Sequence, residues 1–430
     1  MLNDMSRDAL IAHERTLADR FASLKDTSLA LDLTRGKPSP EQLALSDPID
    51  DMVAGDFRAD DGTDARNYGG LTGLPEARQL GAELLGVRAD NVIAGGNSSL
   101  TLMYQYLLHA WLHGPLGPQT AWRHESGPLK FLCVVPGYER HFTIVESLGF
   151  ELINVGLTAD GPDMNRVESL VADDPRIKGI WCVPKHSNPT GHTYSDDVVE
   201  RFAQLAKRAG PNFRIMWDNA YAVHDLDDNP PVLANVMERC RAAGTADSVI
   251  LFTSTSKVTR AGSGISFLAA SAANLAPFVM SLGVQTIGPD KLNQLRHVRF
   301  LKDAGGIRTH MRRHATIVRP KFERVIQHLT DGLTPDGIGS WTTPRGGYFL
   351  SFEAPTGLAT TIVRLVAEAG VKLTPAGATF PYGRDPHDTN IRLAPTYPTL
   401  DEIDQAMPVF IAAVALATVR QQLKSTVTPG

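Results

Sequence analysis

The chain has 430 residues, longer than a single hydrophobic core usually grows, so two domains or one large α/β unit are expected. Hydrophobic residues make up 43% and charged residues 21%, an ordinary balance for a globular enzyme, and 42 basic against 47 acidic side chains leave a net charge of −5. Such a charge gives no attraction for nucleic acid or an anionic membrane surface, and neither is expected as a partner.

The N-terminus is interrupted by Asp4, Arg7, Asp8 and Glu14 and lacks the apolar core of a signal peptide, so a cytoplasmic location is expected. Apolar residues recur at helical spacing over residues 6–24, and the extended segment Leu31-Asp32-Leu33-Thr34 leads into Arg35-Gly36-Lys37-Pro38. From residue 92 onward short apolar runs (92–94, 131–135, 180–183, 213–217) alternate with helical patterns (100–112, 141–148, 198–209). That rhythm predicts a largely parallel sheet covered by helices, in which ligands gather beyond the carboxyl ends of the strands. Asn97, Tyr138, Asn188 and Asp218 each fall just after such a run or at its end, and Lys257 follows a further run, Val249-Ile250-Leu251-Phe252.

Further on, a long helix is expected over residues 289–329, with Arg312, Arg313, Lys321 and Arg324 on a solvated face. Gly346-Gly347-Tyr348-Phe349-Leu350 and Ile391-Arg392-Leu393 read as strands of a second, smaller domain. The apolar stretch 406–419 contains Pro408 and is too short to span a bilayer. Cys133, Cys182 and Cys240 lack metal or redox spacing, and reduced thiols are expected. His109 and His113 have a spacing that could hold a metal, but no acidic partner intervenes, and no metal is expected.

The chemistry gathers around Lys257, which closes the run Phe252-Thr253-Ser254-Thr255-Ser256-Lys257; upstream lie Ser187-Asn188-Pro189-Thr190-Gly191 and Trp217-Asp218-Asn219-Ala220-Tyr221. A lysine, a carboxylate, an amide and a phenol are what pyridoxal phosphate needs: a Schiff-base partner, an acid that keeps the pyridine nitrogen protonated, and donors for the ring's phenolic oxygen. Singly, each has a plainer reading: an exposed loop lysine, a helix N-cap, a turn-forming asparagine, a core tyrosine. Gly95-Gly96-Asn97-Ser98-Ser99, ahead of the helix over 100–112, offers amide donors at a helix start, as an anion requires.

Taken in order, these motifs make the chain resemble the fold-type I aminotransferases from about residue 31 to 398, in particular the divergent bacterial aspartate aminotransferases related to the aminotransferase-like domain of MocR regulators. The resemblance implies an α/β fold. Residues 61–305 would form a large domain with a mostly parallel sheet between helices, and residues 306–430 a smaller α+β domain that residues 1–60 join. It implies pyridoxal 5′-phosphate as cofactor, bound by Lys257, which then shuttles the substrate's Cα proton. Asp218 would pair with the pyridinium, Tyr221 and Asn188 would donate to the phenolic oxygen, Tyr138 would stack on the ring, and His141 would touch the aspartate. Gly96, Asn97, Ser98, Ser254 and Ser256 would hold the phosphate, while Tyr68 would reach the phosphate of a neighbouring subunit, implying a homodimer with active sites at its interface.

Arg392 in Asn390-Ile391-Arg392-Leu393-Ala394 matches the arginine that clamps the substrate's α-carboxylate, a planar fork for a planar group. Asn188, Arg35, Gly36 and Lys37 complete the implied substrate site. One departure stands out: after Lys257 the chain reads Val258-Thr259-Arg260-Ala261-Gly262-Ser263-Gly264, with nothing basic where the family's phosphate-binding arginine stands, and Arg260 and Lys291 are the candidates to replace it. The implied activity is ping-pong exchange of the amino group between L-aspartate and 2-oxoglutarate. An aromatic or aminoadipate donor is one rival; another is a ligand-sensing regulator domain, for whose winged helix the segment ahead of residue 31 is too short. Aspartate's second carboxylate would need a second cation, with Arg35, Lys37 and Lys291 as candidates.

Overall fold

A computed structural model describes residues 2–425 apart from Ser28 and Arg35. Seven strands build the main sheet: β1 (Val92–Ala94), β2 (Lys130–Val134), β3 (Glu151–Val155), β4 (Ile177–Cys182), β5 (Arg214–Asp218), β6 (Val249–Ser254) and β7 (Ser266–Ala269), in the order β1-β7-β6-β5-β4-β2-β3. Neighbours pair in parallel except β7, which is antiparallel to both β1 and β6. Every residue of β1, β4, β5 and β7 is buried. This is why Ile180-Trp181-Cys182 and Ile215-Met216-Trp217 read as apolar runs: helices cover both faces, so neither face carries a polar row. Alternate residues serve different layers. Ile215 and Trp217 pack into a core with Val199 and Phe202 on one face, while Met216 packs with Phe131, Trp181 and Phe252 on the other.

A second core joins the two chain ends. The helix Arg7–Lys25, N-capped by Ser6, contributes Leu10, Leu17 and Phe21 to a cluster shared with the helices Ala359–Glu368 and Leu400–Ser425. An antiparallel sheet of β8 (Ser340–Trp341), β9 (Leu350–Glu353) and β10 (Asn390–Leu393) lies in the same unit, and Leu31–Asp32 pairs in parallel with Val371–Lys372.

Four expectations need correcting. The stretch 289–329 is two helices, Lys291–Leu301 and Ala304–Leu333, because Lys302 takes a left-handed φ of 64° and Asp303 starts the second helix by accepting a bond from the Gly306 N–H. Lys321 is not solvated: only 4% of it is exposed, and its ammonium donates to the Thr396 carbonyl at 3.1 Å, whereas Arg312, Arg313 and Arg324 are exposed. Residues 346–349 are irregular and β9 starts at Leu350, since Gly347 holds a φ of 83° that breaks the pleat. The late apolar helix, Leu400–Ser425, outgrows the run 406–419; by length and composition it could cross a membrane, but 78% of its most apolar window is buried inside the protein, as in a core helix.

Phe410 of that helix is 2% exposed and meets Phe352 of β9 edge-on at 5.1 Å between ring centroids. Phe410→Ala is expected to cost about 3–5 kcal/mol by leaving a cavity between helix and sheet. A urea unfolding curve displaced to lower midpoint without loss of steepness would show it; an unchanged midpoint would mean that this contact is not part of the core's stability.

Candidate active site

A cavity of about 340 Å³ opens beyond the carboxyl ends of the main strands, lined among others by Tyr138, Asn188, Asp218, Tyr221, Lys257 and Arg392. Topology brings them there: Asp218 is the last residue of β5, Lys257 sits in the turn after β6, Tyr138 precedes the helix Glu139–Ser147, and Arg392 projects from β10 of the second core. The helix Glu139–Ser147 starts two residues earlier than the pattern over 141–148 indicates, so Glu139 and Arg140 belong to its first turn.

Asp218 is 3% exposed. Its Oδ2 accepts a bond from His141 Nε2 at 2.9 Å, and the His141 ring lies flat on Trp181, 4.1 Å between centroids and 5° from parallel. Its Oδ1 is buried and has no partner among the described residues. A buried carboxylate oxygen without a donor is expensive in a protein standing alone and calls for a donor from a ligand. A protonated pyridine nitrogen fits that requirement.

Lys257 is held through its backbone. Its carbonyl accepts from the Tyr348 hydroxyl at 3.2 Å and from His224 Nε2 at 3.3 Å, and the next carbonyl, of Val258, accepts from His310 Nε2 at 2.8 Å. The side-chain nitrogen lies 4.9 Å from the centre of the Tyr221 ring. Burial lowers the amine's pKa, while the Asp218 carboxylate opposes that shift. Burial also pushes the Tyr138 phenol up to about 12 and the Tyr221 phenol well above its ordinary value, so both stay protonated and able to donate.

Ser98, Ser254 and Ser256 line the same cavity as the lysine. The helix Ser99–His113 begins after Ser98, whose hydroxyl makes no capping bond, leaving first-turn amides to be met by another acceptor. Ser256 donates its hydroxyl to the Asn97 carbonyl at 3.2 Å, and Ser254 donates to Ser256 Oγ at 3.2 Å. Gly96 and Asn97 are tied into the wall of this loop: the Gly96 carbonyl accepts from Ser266, and the Asn97 side chain donates to the Gly262 carbonyl at 3.1 Å. These groups, with the orphaned Asp218 oxygen, fit pyridoxal phosphate.

Neither cation considered for its phosphate lines the cavity. Arg260 is engaged with both Asp50 oxygens at 2.9 Å, and Lys291 is buried with its ammonium on the Gly69 carbonyl at 2.6 Å, in a separate cleft of about 640 Å³. Tyr68 shares that cleft and is 83% exposed, so within one chain it does not meet Lys257.

At the substrate end the Arg392 guanidinium donates to Glu139, Asn188 and Thr374 and lies 4.7 Å from the centre of the Phe349 ring. Asn188 is placed by a turn in which the Gly191 N–H reaches the Ser187 carbonyl at 2.6 Å; Gly191 has a φ of 73°, and a Cβ there would strike Pro344. Gly36 and Lys37 line the cavity from the N-terminal segment, with the Lys37 ammonium 3.9 Å from the centre of the Tyr397 ring; Arg35 lies outside the described residues. Sequence reasoning gave no role to Glu139, Arg140 or Phe349, all of which line the cavity. The signal for the first two was their place between Tyr138 and His141.

The family model described as aspartate amino-transferase matches residues 5–426. The chain belongs to the aspartate aminotransferase family. It is 44% identical over 417 residues to an aspartate aminotransferase of Corynebacterium glutamicum, covering 97% of this chain and 96% of the relative. The crystal structure of an aspartate transaminase from the same organism superposes with a TM-score of 0.93 at 43% identity, covering 98% of this chain and 99% of that one. The fold extends further: an α-aminoadipate aminotransferase of Thermus thermophilus, crystallised with N-(5′-phosphopyridoxyl)-L-leucine, gives a TM-score of 0.73 at 22% identity, covering 96% of this chain and 98% of that one. This protein is accordingly a pyridoxal phosphate-dependent aminotransferase, with amino acids and 2-oxo acids as substrates.

Gly36 provides a test of how closely the aminotransferase's cavity is built. A Cβ at this position would stand 2.3 Å from Cζ of Phe349, the ring that packs on Arg392. Gly36→Ala is therefore expected to shift both and to lower kcat/KM by about 10²-fold while leaving thermal unfolding nearly unchanged. Wild-type kcat/KM in this variant would show that Phe349 does not set the position of Arg392.

Proposed function

We propose that the protein is a cytoplasmic, homodimeric L-aspartate:2-oxoglutarate aminotransferase with ping-pong half-reactions. The observation that carries the substrate assignment is that a buried cation, Arg392, and an exposed one, Lys37, both line one small cavity, which suits a dicarboxylic acid. The 44% identity to a protein named for aspartate supports it. The Tyr68 side chain and a neighbouring apolar surface with Val284 90% and Ile287 63% exposed support a homodimer.

When bound, pyridoxal phosphate supplies an electrophilic carbonyl and an electron sink. In the proposed scheme the residues divide the remaining work. Asp218 offers Oδ1 to the protonated ring nitrogen while His141 fixes its other oxygen. Asn188 turns its Oδ1 to Arg392, which frees its amide N–H groups to donate, together with the Tyr221 hydroxyl, to the phenolic oxygen. Tyr138 covers the ring face. Gly96, Asn97, Ser98, Ser254 and Ser256 surround the phosphate with amides and hydroxyls. Arg392 holds the α-carboxylate, which orients the Cα–H bond. Lys257 would take that proton and deliver it, on the same face, to the cofactor's C4′ carbon. Its lowered pKa has a definite sign: the neutral base persists to lower pH than in a free lysine, and is lost only as pH falls through that lowered value.

Lys257→Ala should leave a folded protein whose transamination falls by several orders of magnitude, because the covalent attachment and the proton carrier go together. Measurement of single half-reactions with purified variant decides this; substantial residual turnover would remove Lys257 from its role.

Lys37→Ala should raise KM for aspartate and 2-oxoglutarate far more than for a neutral amino acid, since an unpaired side-chain carboxylate would remain at the rim. Parallel assays with aspartate, an aromatic amino acid and aminoadipate provide the comparison. Equal losses for acidic and neutral donors would exclude Lys37 from side-chain recognition, and a preference for an aromatic donor would replace the aspartate assignment.

A further inference from the structure

The guanidinium assigned to the substrate is already occupied by a carboxylate of the protein itself. Nη1 of Arg392 donates to Glu139 Oε2 at 2.7 Å and to Asn188 Oδ1 at 3.2 Å; Nη2 donates to Glu139 Oε1 at 3.2 Å and to Thr374 Oγ1 at 3.4 Å. All four Nη hydrogens are thus used. The remaining donor, Nε, is buried and has no partner among the described residues. A carboxylate grips arginine through two parallel N–H bonds, and no second pair is open here. Glu139 stands on the accessible side: its side chain is 32% exposed against 5% for Arg392.

We infer that Glu139 is a resident carboxylate that closes the Arg392 fork in the free enzyme and is displaced by the α-carboxylate of each incoming substrate, so that it sets substrate affinity at this clamp. This rests on the assignment of Arg392 as the clamp under Proposed function. The exchange replaces one anion by another, so the buried guanidinium is paired at every stage; an unpaired charge in this place would be strongly unfavourable. Burial pushes the Glu139 carboxyl up, but the hydrogen bonds and charge of Arg392 outweigh it and hold it below the usual carboxylate range, so the resident group is ionised near neutrality. Once released, Glu139 remains at the first position of the helix Glu139–Ser147, where the positive end of the helix and the adjacent Arg140 favour a negative charge. Neutral ligands and weakly ionised acids gain nothing from this exchange, so the device favours full carboxylates.

The test uses the holoenzyme with Glu139→Gln, a near-isosteric change at a half-exposed position, Glu139→Asp, one methylene too short to span the fork, and Arg392→Lys. Two quantities are read: the dissociation constant of succinate, a dicarboxylate with no amino or oxo group, from the cofactor's absorbance, and the separate KM and kcat for amino donor and oxo acid. Removing the competitor should tighten succinate and lower KM by about three- to fivefold in both Glu139 variants, as a partly exposed ion pair would allow, with the change in KM rather than kcat. Arg392→Lys should weaken both by about tenfold or more. If Arg392→Lys has no effect, the clamp assignment itself is wrong. If it weakens binding while the Glu139 variants bind succinate equally or more weakly, Glu139 instead holds Arg392 in place and the displacement is refuted.

Discussion

The site depends on one buried carboxylate. Asp218 ends a strand whose other residues are fully buried and whose flanking layers are apolar, so its charge has little solvent to stabilise it. His141 answers one oxygen and Trp181 stacks on the histidine ring, while the second oxygen has no partner among the described residues. The chain could have filled that position with another side chain. In the proposed scheme a protonated aromatic nitrogen donates to that oxygen, and Asp218 would anchor the cofactor ring.

The second constraint is that the two cores must meet. Lys257, Asp218 and Asn188 come from the carboxyl ends of central strands of the main sheet, whereas Arg392 comes from β10 and Gly36 and Lys37 from the N-terminal segment. The meeting is reinforced by polar bonds across the boundary: Tyr348 to the Lys257 carbonyl, Gln42 to the Tyr348 hydroxyl at 3.0 Å, and Arg392 to Asn188 and Glu139. The long helix Ala304–Leu333 belongs to both cores, with Ile307 and Met311 in one and Val325, Leu329 and Leu333 in the other. A movement of one core relative to the other would therefore alter the distance between Arg392 and Lys257.

How much of this the sequence discloses follows the range of the interactions. β1, β2, β4, β5 and β6 were legible because burial leaves short apolar runs, whereas β3, in which only Val155 is buried, and the short β7 were not; Asp218, Asn188, Lys257 and Arg392 were legible because they interrupt or follow such runs in a fixed order. The break at Lys302 was not, since a lysine in a left-handed conformation has no compositional mark. Long-range charge pairing was invisible as well. Arg260, weighed for the phosphate, is taken by Asp50, 210 residues earlier, and Glu139 meets Arg392 across 253 residues. Lys321 read as a surface charge because the carbonyl that receives it belongs to Thr396, far along the chain.

The most direct test of the account is an absorbance titration of the purified holoenzyme with L-aspartate followed by 2-oxoglutarate, set beside the same titration of Asp218→Asn. The account predicts that aspartate converts the wild-type cofactor from its lysine-bound form to the amine form, that 2-oxoglutarate restores the first spectrum, and that Asp218→Asn retains cofactor but converts far more slowly, because a neutral amide cannot hold the ring nitrogen protonated. Conversion in Asp218→Asn at the wild-type rate, or no response of the wild type to aspartate while another donor converts it, would contradict the central claim.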